Sequence, residues 1–329
     1  MIGNMQRIQH IDRLKGLAML TIVIAHCEVI GELTDGPYYL TDFSQFAHLF
    51  LFMFLSGYMV SCIPNRKKII IKLAQFLCPF IFVGYALCVL EQNKSFVDFI
   101  TDLWKNGLWY LLTLAEYYIL LMPLRLNKAE KIKKKVVIDI AYFLGIYILL
   151  YACRYQLQTS IQNVIGINHL YGFWFFFYIG FICKRYGLGA YIEQHNWVFS
   201  AALLFVIVRL IWQPLGSIPK LPELANVFVL FYFFMKREST NTFMENQLAF
   251  IGQNSIDVYI FHYFIVNDLH LKPFGNYFIQ SGNYFLEGIF TIFLSLIIIY
   301  ISILIGCILR KSEWMNDIVY GNFAKKLIK

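Results

Sequence analysis

His26 is the side chain whose chemistry has to be explained first. It sits in "IDRLKGLAMLTIVIAHC", residues 11–27, where every residue between Lys15 and His26 is small, apolar or Thr. Lys15 and His26 are eleven positions apart. On an α-helix that is three turns plus ~20°, so both project from one face, about 16 Å apart along the axis. Asp12, three residues before Lys15, joins that face. An ionisable group at membrane depth is costly and is by default a functional hypothesis. An imidazole works near neutral pH as a general base or as a nucleophile. The plainer reading is a core histidine bonded to a neighbouring helix, and geometry alone divides evenly between the two.

Other polar residues fall inside apolar stretches: Glu116, Asp139, Arg209, Asp257 and His262. Asp139 is near a span end and is expected to be solvated, and Arg209 to snorkel toward an interface. In "FLFMFLSGYMV" (50–60), Ser56 and Gly57 interrupt an aromatic run. Small residues let helix backbones approach, and plain packing is the favoured reading on this basis. The seven cysteines lie in or beside apolar stretches, with no C-x-x-C pair and no metal-ligand spacing. They read as small buried apolar residues, and no metal site is expected. Cys27 adjoins His26, but helical neighbours diverge by ~100°, which argues against contact.

The elements that must position these residues read as membrane helices. Of 329 residues, 59% are hydrophobic and 15% charged, with a mean hydropathy of +0.60. That is more apolar surface than a soluble domain of this size can hide. Ten apolar stretches near 14–31, 46–63, 69–91, 107–124, 136–153, 169–184, 197–213, 221–235, 248–269 and 284–309 approach the length needed to cross a ~30 Å hydrocarbon core. Pro79, Pro123 and Pro214 sit in or at the ends of spans, which bundled helices tolerate. Lys and Arg concentrate in alternate connectors: "NRKK" (65–68), "RLNKAEKIKKK" (125–135), "KR" at 184–185 and 236–237, and both chain ends. The sparse set holds only Lys94, Lys105, Arg154, Lys220 and Lys272. The positive-inside rule then puts the basic side and both termini in the cytoplasm. The net charge of +8 reads as topology and attraction to lipid headgroups, not as a nucleic-acid surface. The basic start lacks a small-x-small cleavage site, so the first span is read as retained. The expected fold is an all-α polytopic membrane protein of about ten transmembrane helices, one integral-membrane domain over residues 1–329, in the cell inner (plasma) membrane.

Four elements in order resemble the acyltransferase 3 family. The first is Asp, a basic residue with Gly-x-Ala after it, ten residues, then His, here "IDRLKGLAMLTIVIAH". The second is F-x-SG-Y, here Phe54, Ser56, Gly57 and Tyr58. The third is Trp-aromatic-Leu, here within "LWYLLTLAEYYILLMPL" (108–124). The last is Ser-x-x-x-Tyr-x-x-His, here "SIDVYIFH" (255–262). The resemblance is to compact members such as sugar O-acetyltransferases. It implies a membrane-embedded enzyme that moves an acyl group, usually acetyl from acetyl-CoA, onto a hydroxyl of a sugar or glycan precursor. On that footing His26, Lys15 and Asp12 form the catalytic set. Lys15 would bind an anionic part of acyl-CoA, with Asp12 orienting it. Lys15 stands where the family often has Arg, which keeps the charge and loses the guanidinium fork. Arg66, Lys67, Lys68 and Lys72 would grip the nucleotide phosphates, unless they serve topology alone. Ser56 and Tyr58 would line the thioester site, Trp109 and Tyr110 the acceptor cavity, and Glu116 matches a Glu some members carry. His262 is either a second acid/base or, preferred, a structural partner. The alternative function is a transporter or flippase for a small acid or lipid-linked saccharide, with His26, Glu116 and Asp257 relaying protons. The absence of a convincing internal repeat weighs against it. A third reading, the other polytopic O-acyltransferase superfamily with its late Asn/His pair, is disfavoured because the motif here is N-terminal.

Overall fold

The computed structural model describes residues 9–33, 48–60, 66–92, 95–127, 131–211, 220–236 and 242–327. All regular structure among them is helical. In chain order the α-helices are α1 (Gln9–Val29), α2 (Leu49–Tyr58), α3 (Arg66–Gln92), α4 (Phe96–Thr101), α5 (Trp109–Leu120), α6 (Ile132–Gln156), α7 (Thr159–Ile165) and α8 (Ile167–Arg185). There follow α9 (Leu188–Gln194), α10 (Asn196–Ile211), α11 (Leu221–Lys236), α12 (Phe243–Gln253), α13 (Ser255–Asp268), α14 (Lys272–Ser281), α15 (Tyr284–Lys311), α16 (Glu313–Tyr320) and α17 (Phe323–Leu327).

The chain divides into two units, residues 1–59 with 180–305, and residues 60–179 with 306–329. In the first unit α1 is the central helix. Its buried residues run from Ile11 and Leu14 through Met19, Ile22 and Val23 to Cys27 and Glu28, all round the cylinder. A helix buried on nearly every side belongs in an interior, and α2, α11, α12 and α13 pack around this one. The closest approach is to α12. A Cβ on Gly16 would lie 1.9 Å from the Leu248 carbonyl oxygen, and one on Gly252 would lie 1.8 Å from that of Asp12. Position 16 faces 248 and position 12 faces 252, so the two helices run antiparallel with their backbones nearly touching. Asn254 then ends α12 outside helical geometry (φ −104°, ψ 17°) and α13 begins. In the second unit α3 packs against α4, α5, α16 and α17. The tail docks through Gly321 (φ 63°), where a Cβ would meet the Ala74 carbonyl oxygen at 2.3 Å.

The expectation of about ten transmembrane helices is overturned. Among the described residues three helices are long and apolar enough to cross a membrane: Arg66–Ala86, Ile132–Gln156 and Tyr284–Lys311. A fourth arises if α7 and α8, bent by 45°, form one broken span. The reason is length and charge. α2 has 10 residues and α5 has 12, about 15 and 18 Å against a ~30 Å core. α10 and α11 have 16 each. The 248–269 stretch is cut at Asn254. α1 is long enough but carries Asp12, Arg13, Lys15 and Glu28. The two termini, expected in the cytoplasm, lie outside the described residues, as do Cys62, Lys94, Pro214, Arg237 and most of the 28–45 connector.

α6 shows what a spanning helix looks like here. Only Asp139 and Leu150 are buried along its 25 residues. Asp139 is not solvated as expected but 0% exposed. The Asn127 amide donates to its carboxylate at 2.9 Å, and the Tyr178 hydroxyl donates to its carbonyl at 2.8 Å.

Candidate functional site

The sequence-derived site residues fall into two groups. His26, Lys15, Asp12, Ser56, Tyr58 and His262 belong to the first unit. Arg66, Lys68, Lys72, Trp109, Tyr110 and Glu116 belong to the second.

In the first unit the fold brings His26 and His262 together from opposite ends of the sequence. His26 Nδ1 lies 2.8 Å from His262 Nε2. The ring planes differ by 9° and the centroids are 5.0 Å apart. A short N···N contact between near-parallel rings at that separation means an edge-to-edge, in-plane hydrogen bond, not face-to-face stacking. Helix periodicity explains the arrangement on each side. His26 is three turns above Lys15 on α1, and His262 is one turn above Val258 on α13, whose carbonyl accepts from His262 Nδ1 at 2.7 Å. The two rings differ in access: His262 is 1% exposed and His26 is half-buried. Tyr263 stands edge-on to His26 at 6.0 Å, and His48, before α2, is within electrostatic reach. Cys27 does turn away from His26. It is buried, in contact with the Ser295 hydroxyl at 3.5 Å.

Asp12 and Lys15 are half-buried on α1, and each has an interaction partner. Ser56 donates back to the Phe52 carbonyl one turn earlier, at 2.8 Å. Tyr58 lies in an aromatic cluster with Phe54 and Phe231, with the Lys184 ammonium 5.1 Å from its ring centre. Beside α1 the sequence reading missed Arg13, whose guanidinium pairs with Glu245 at 3.3 Å in a buried position. The signal was weak, because nothing in "IDRLKG" separates the inward basic residue from the half-buried one.

In the second unit Arg66, Lys68 and Lys72 are exposed on the first turns of α3, with the Lys72 ammonium 6.0 Å from the Phe76 ring centre. Trp109 and Tyr110 are buried at the start of α5. Trp109 stacks on His169 at 4.1 Å and on Phe173 at 5.3 Å. His169 and Lys105 were not singled out from the sequence. The His169 Nε2–H donates to the Leu103 carbonyl at 3.1 Å. Lys105, fully buried, donates to the carbonyls of Ile100 (2.9 Å), Asp102 (3.0 Å) and Asn163 (2.5 Å). Burial pushes its ammonium down to about 8, against the pull of Asp102 and Glu116. Glu116 is half-buried, and its Oε2 has no hydrogen-bond partner among the described residues. Among the described residues no three His, Cys, Asp or Glu side chains converge as a metal set.

Comparison with known proteins adds one finding. Residues 8–309 match the family model described as an acyltransferase domain, acyltransferase 3. No curated protein and no solved structure matches the chain.

Proposed function

Since the chain belongs to the acyltransferase 3 family, we propose that it transfers an acyl group, acetyl in the simplest case, from acyl-CoA to a hydroxyl of a sugar or glycan precursor at the cell membrane. The observation that carries the reading is the His26–His262 hydrogen bond. A buried histidine backs a half-buried one, which is how an imidazole is oriented for work at an accessible site. Acyl transfer to a hydroxyl needs what His26 offers. As a base it takes the hydroxyl proton while the oxygen attacks the thioester carbonyl carbon. The C–S bond then breaks and the leaving CoA thiolate takes that proton back. As a carrier, the imidazole attacks the carbonyl carbon first and CoA leaves as the thiolate. The hydroxyl oxygen then attacks the acyl carbon, the C–N bond to the ring breaks, and the hydroxyl proton passes to the CoA thiolate. Lys15, three turns below on the same face, supplies a positive charge for an anionic part of the donor. Arg66, Lys68 and Lys72 are exposed cations that would meet the nucleotide phosphates, and Ser56, Tyr58, Trp109, Tyr110 and Glu116 are the remaining candidates for substrate contact.

The test is incubation of membranes holding the full chain with radiolabelled acetyl-CoA and a panel of methyl glycosides. The reading expects label on a glycoside oxygen, released by mild base. Accumulation of an unmodified glycoside or of acetate inside sealed vesicles, with no esterified product, would instead support a transporter.

A further inference from the structure

The hydrogen-bond directions around His26 can be read without seeing a proton. A backbone carbonyl only accepts, so His262 Nδ1, 2.7 Å from the Val258 oxygen, carries a hydrogen. A neutral His262 then has its lone pair on Nε2. That atom is 2.8 Å from His26 Nδ1 and must accept, so the hydrogen between the rings belongs to His26 Nδ1. The lone pair of neutral His26 is left on Nε2, at the far edge of the ring from His262.

We propose that His262 is a positioning residue: anchored on the Val258 carbonyl, it fixes His26 in the Nδ1–H tautomer and makes Nε2 the atom that abstracts the acceptor proton or takes the acyl group. The proposal rests on the reading of His26 as base or acyl carrier, and it assigns the atom and the partner which that reading leaves open. Both routes use the same atom. In the base route Nε2 gains the hydroxyl proton and later returns it to the CoA sulfur. In the carrier route a C–N bond forms at Nε2 as the C–S bond breaks and CoA leaves as the thiolate. The hydroxyl oxygen then attacks the acyl carbon, the C–N bond breaks, the hydroxyl proton passes to the CoA thiolate, and the Nδ1 proton stays shared with His262 Nε2 throughout. Burial supports the division of labour, since His262 is 1% exposed and cannot itself meet a substrate while His26 is half-buried. The Val258 anchor is a main-chain group in the first turn of α13 and cannot rotate away. His262 therefore has one fixed donor direction and one fixed acceptor direction.

The first readout needs no knowledge of the acceptor. Purified full-length protein is treated with diethyl pyrocarbonate, which carbethoxylates an imidazole nitrogen bearing a lone pair, and modification of His26 is timed by mass spectrometry. The same samples are assayed for CoA release from acetyl-CoA with the methyl glycoside panel. His262→Leu fills the space but cannot accept a hydrogen bond. It should slow modification of His26 and lower kcat by about tenfold or more, part of the ~10²–10⁴ a positioned base contributes, with KM for acetyl-CoA unchanged. His262→Gln, whose amide oxygen can accept from His26 Nδ1–H, should recover most of both. If His262→Leu does not accumulate, His262→Asn, polar but too short to reach His26, takes its place with the same expected loss. Wild-type modification and turnover in His262→Leu, or no rescue by His262→Gln, overturns the positioning role. The enzyme reading fails separately: His26→Gln turning over like wild type would sink it, whereas an inactive His26→Gln beside a fully active His262→Leu sinks the positioning role alone.

Discussion

Each unit of the molecule buries histidine, and the two use it differently. In the second unit His169 spends its Nε2–H on the Leu103 carbonyl while its ring is stacked on Trp109. Nearby Lys105 spends its ammonium on three carbonyls. These groups end on main chain and hold loop to helix. In the first unit the chain of donors also ends on main chain, at Val258, but it starts at a ring that is half-buried and keeps one edge unspent. Buried titratable groups are thus not all one kind of signal. What separates a staple from a working group is whether a lone pair is left over where a substrate can arrive.

Ways to break that contrast run from large to small. The largest effect expected of a packing change is at the α1–α12 contact that sets the height of His26. Gly252→Ala puts a Cβ 1.8 Å from the Asp12 oxygen, so the helices must part. Overpacking costs roughly 1–3 kcal/mol or more. A lower midpoint of thermal unfolding in detergent, together with reduced acetyl transfer, is expected, and an unchanged midpoint would mean the helices do not meet this closely. Next is Lys105. Its folded-state value of about 8 lies below the ordinary 10.5, so between those values the unfolded chain holds a proton that the folded one has released. Stability linked to Lys105 therefore rises with pH across about 8–10.5 and is penalised below it. The wild-type minus Lys105→Met difference in unfolding midpoint, followed through that window, should show the rise, and a flat difference would contradict it. The smallest effect is His169→Phe. It keeps a ring against Trp109 and loses one hydrogen bond, worth ~0.5–1.5 kcal/mol. Acetyl transfer should stay within about twofold of wild type in a kinetic assay, and a larger fall would make His169 more than a staple.

The sequence carried the helix content, the membrane character and the face shared by Asp12, Lys15 and His26, because periodicity and hydropathy are local. It did not carry the number of spans. Stretches such as 49–58 and 109–120 are as apolar as a membrane helix, but the chain ends them after ten or twelve residues, and the apolar run of α1 between Lys15 and His26 is buried in protein. Asp139 was misread for the same reason: its burial comes from Asn127 and Tyr178, twelve and thirty-nine positions away. The His26–His262 bond joins residues 236 positions apart. The sequence offered both histidines separately and could not give the direction of the bond. Lys105 and His169 had no motif to betray them, since a staple needs only a carbonyl within reach.

The contrast between the units reduces to one comparison. His26→Gln and Glu116→Gln, each at wild-type abundance in membranes, are given radiolabelled acetyl-CoA and the glycoside panel, and esterified label is counted. Both changes remove a titratable group from an apolar helix, one in each unit. His26→Gln should lose acetyl transfer by about 10²–10⁴-fold, the contribution of a positioned base, and more if His26 carries the acyl group. Glu116→Gln should lose far less. Near-wild-type labelling in His26→Gln, or abolition in Glu116→Gln with His26→Gln retained, would move the chemistry out of the first unit and contradict the account.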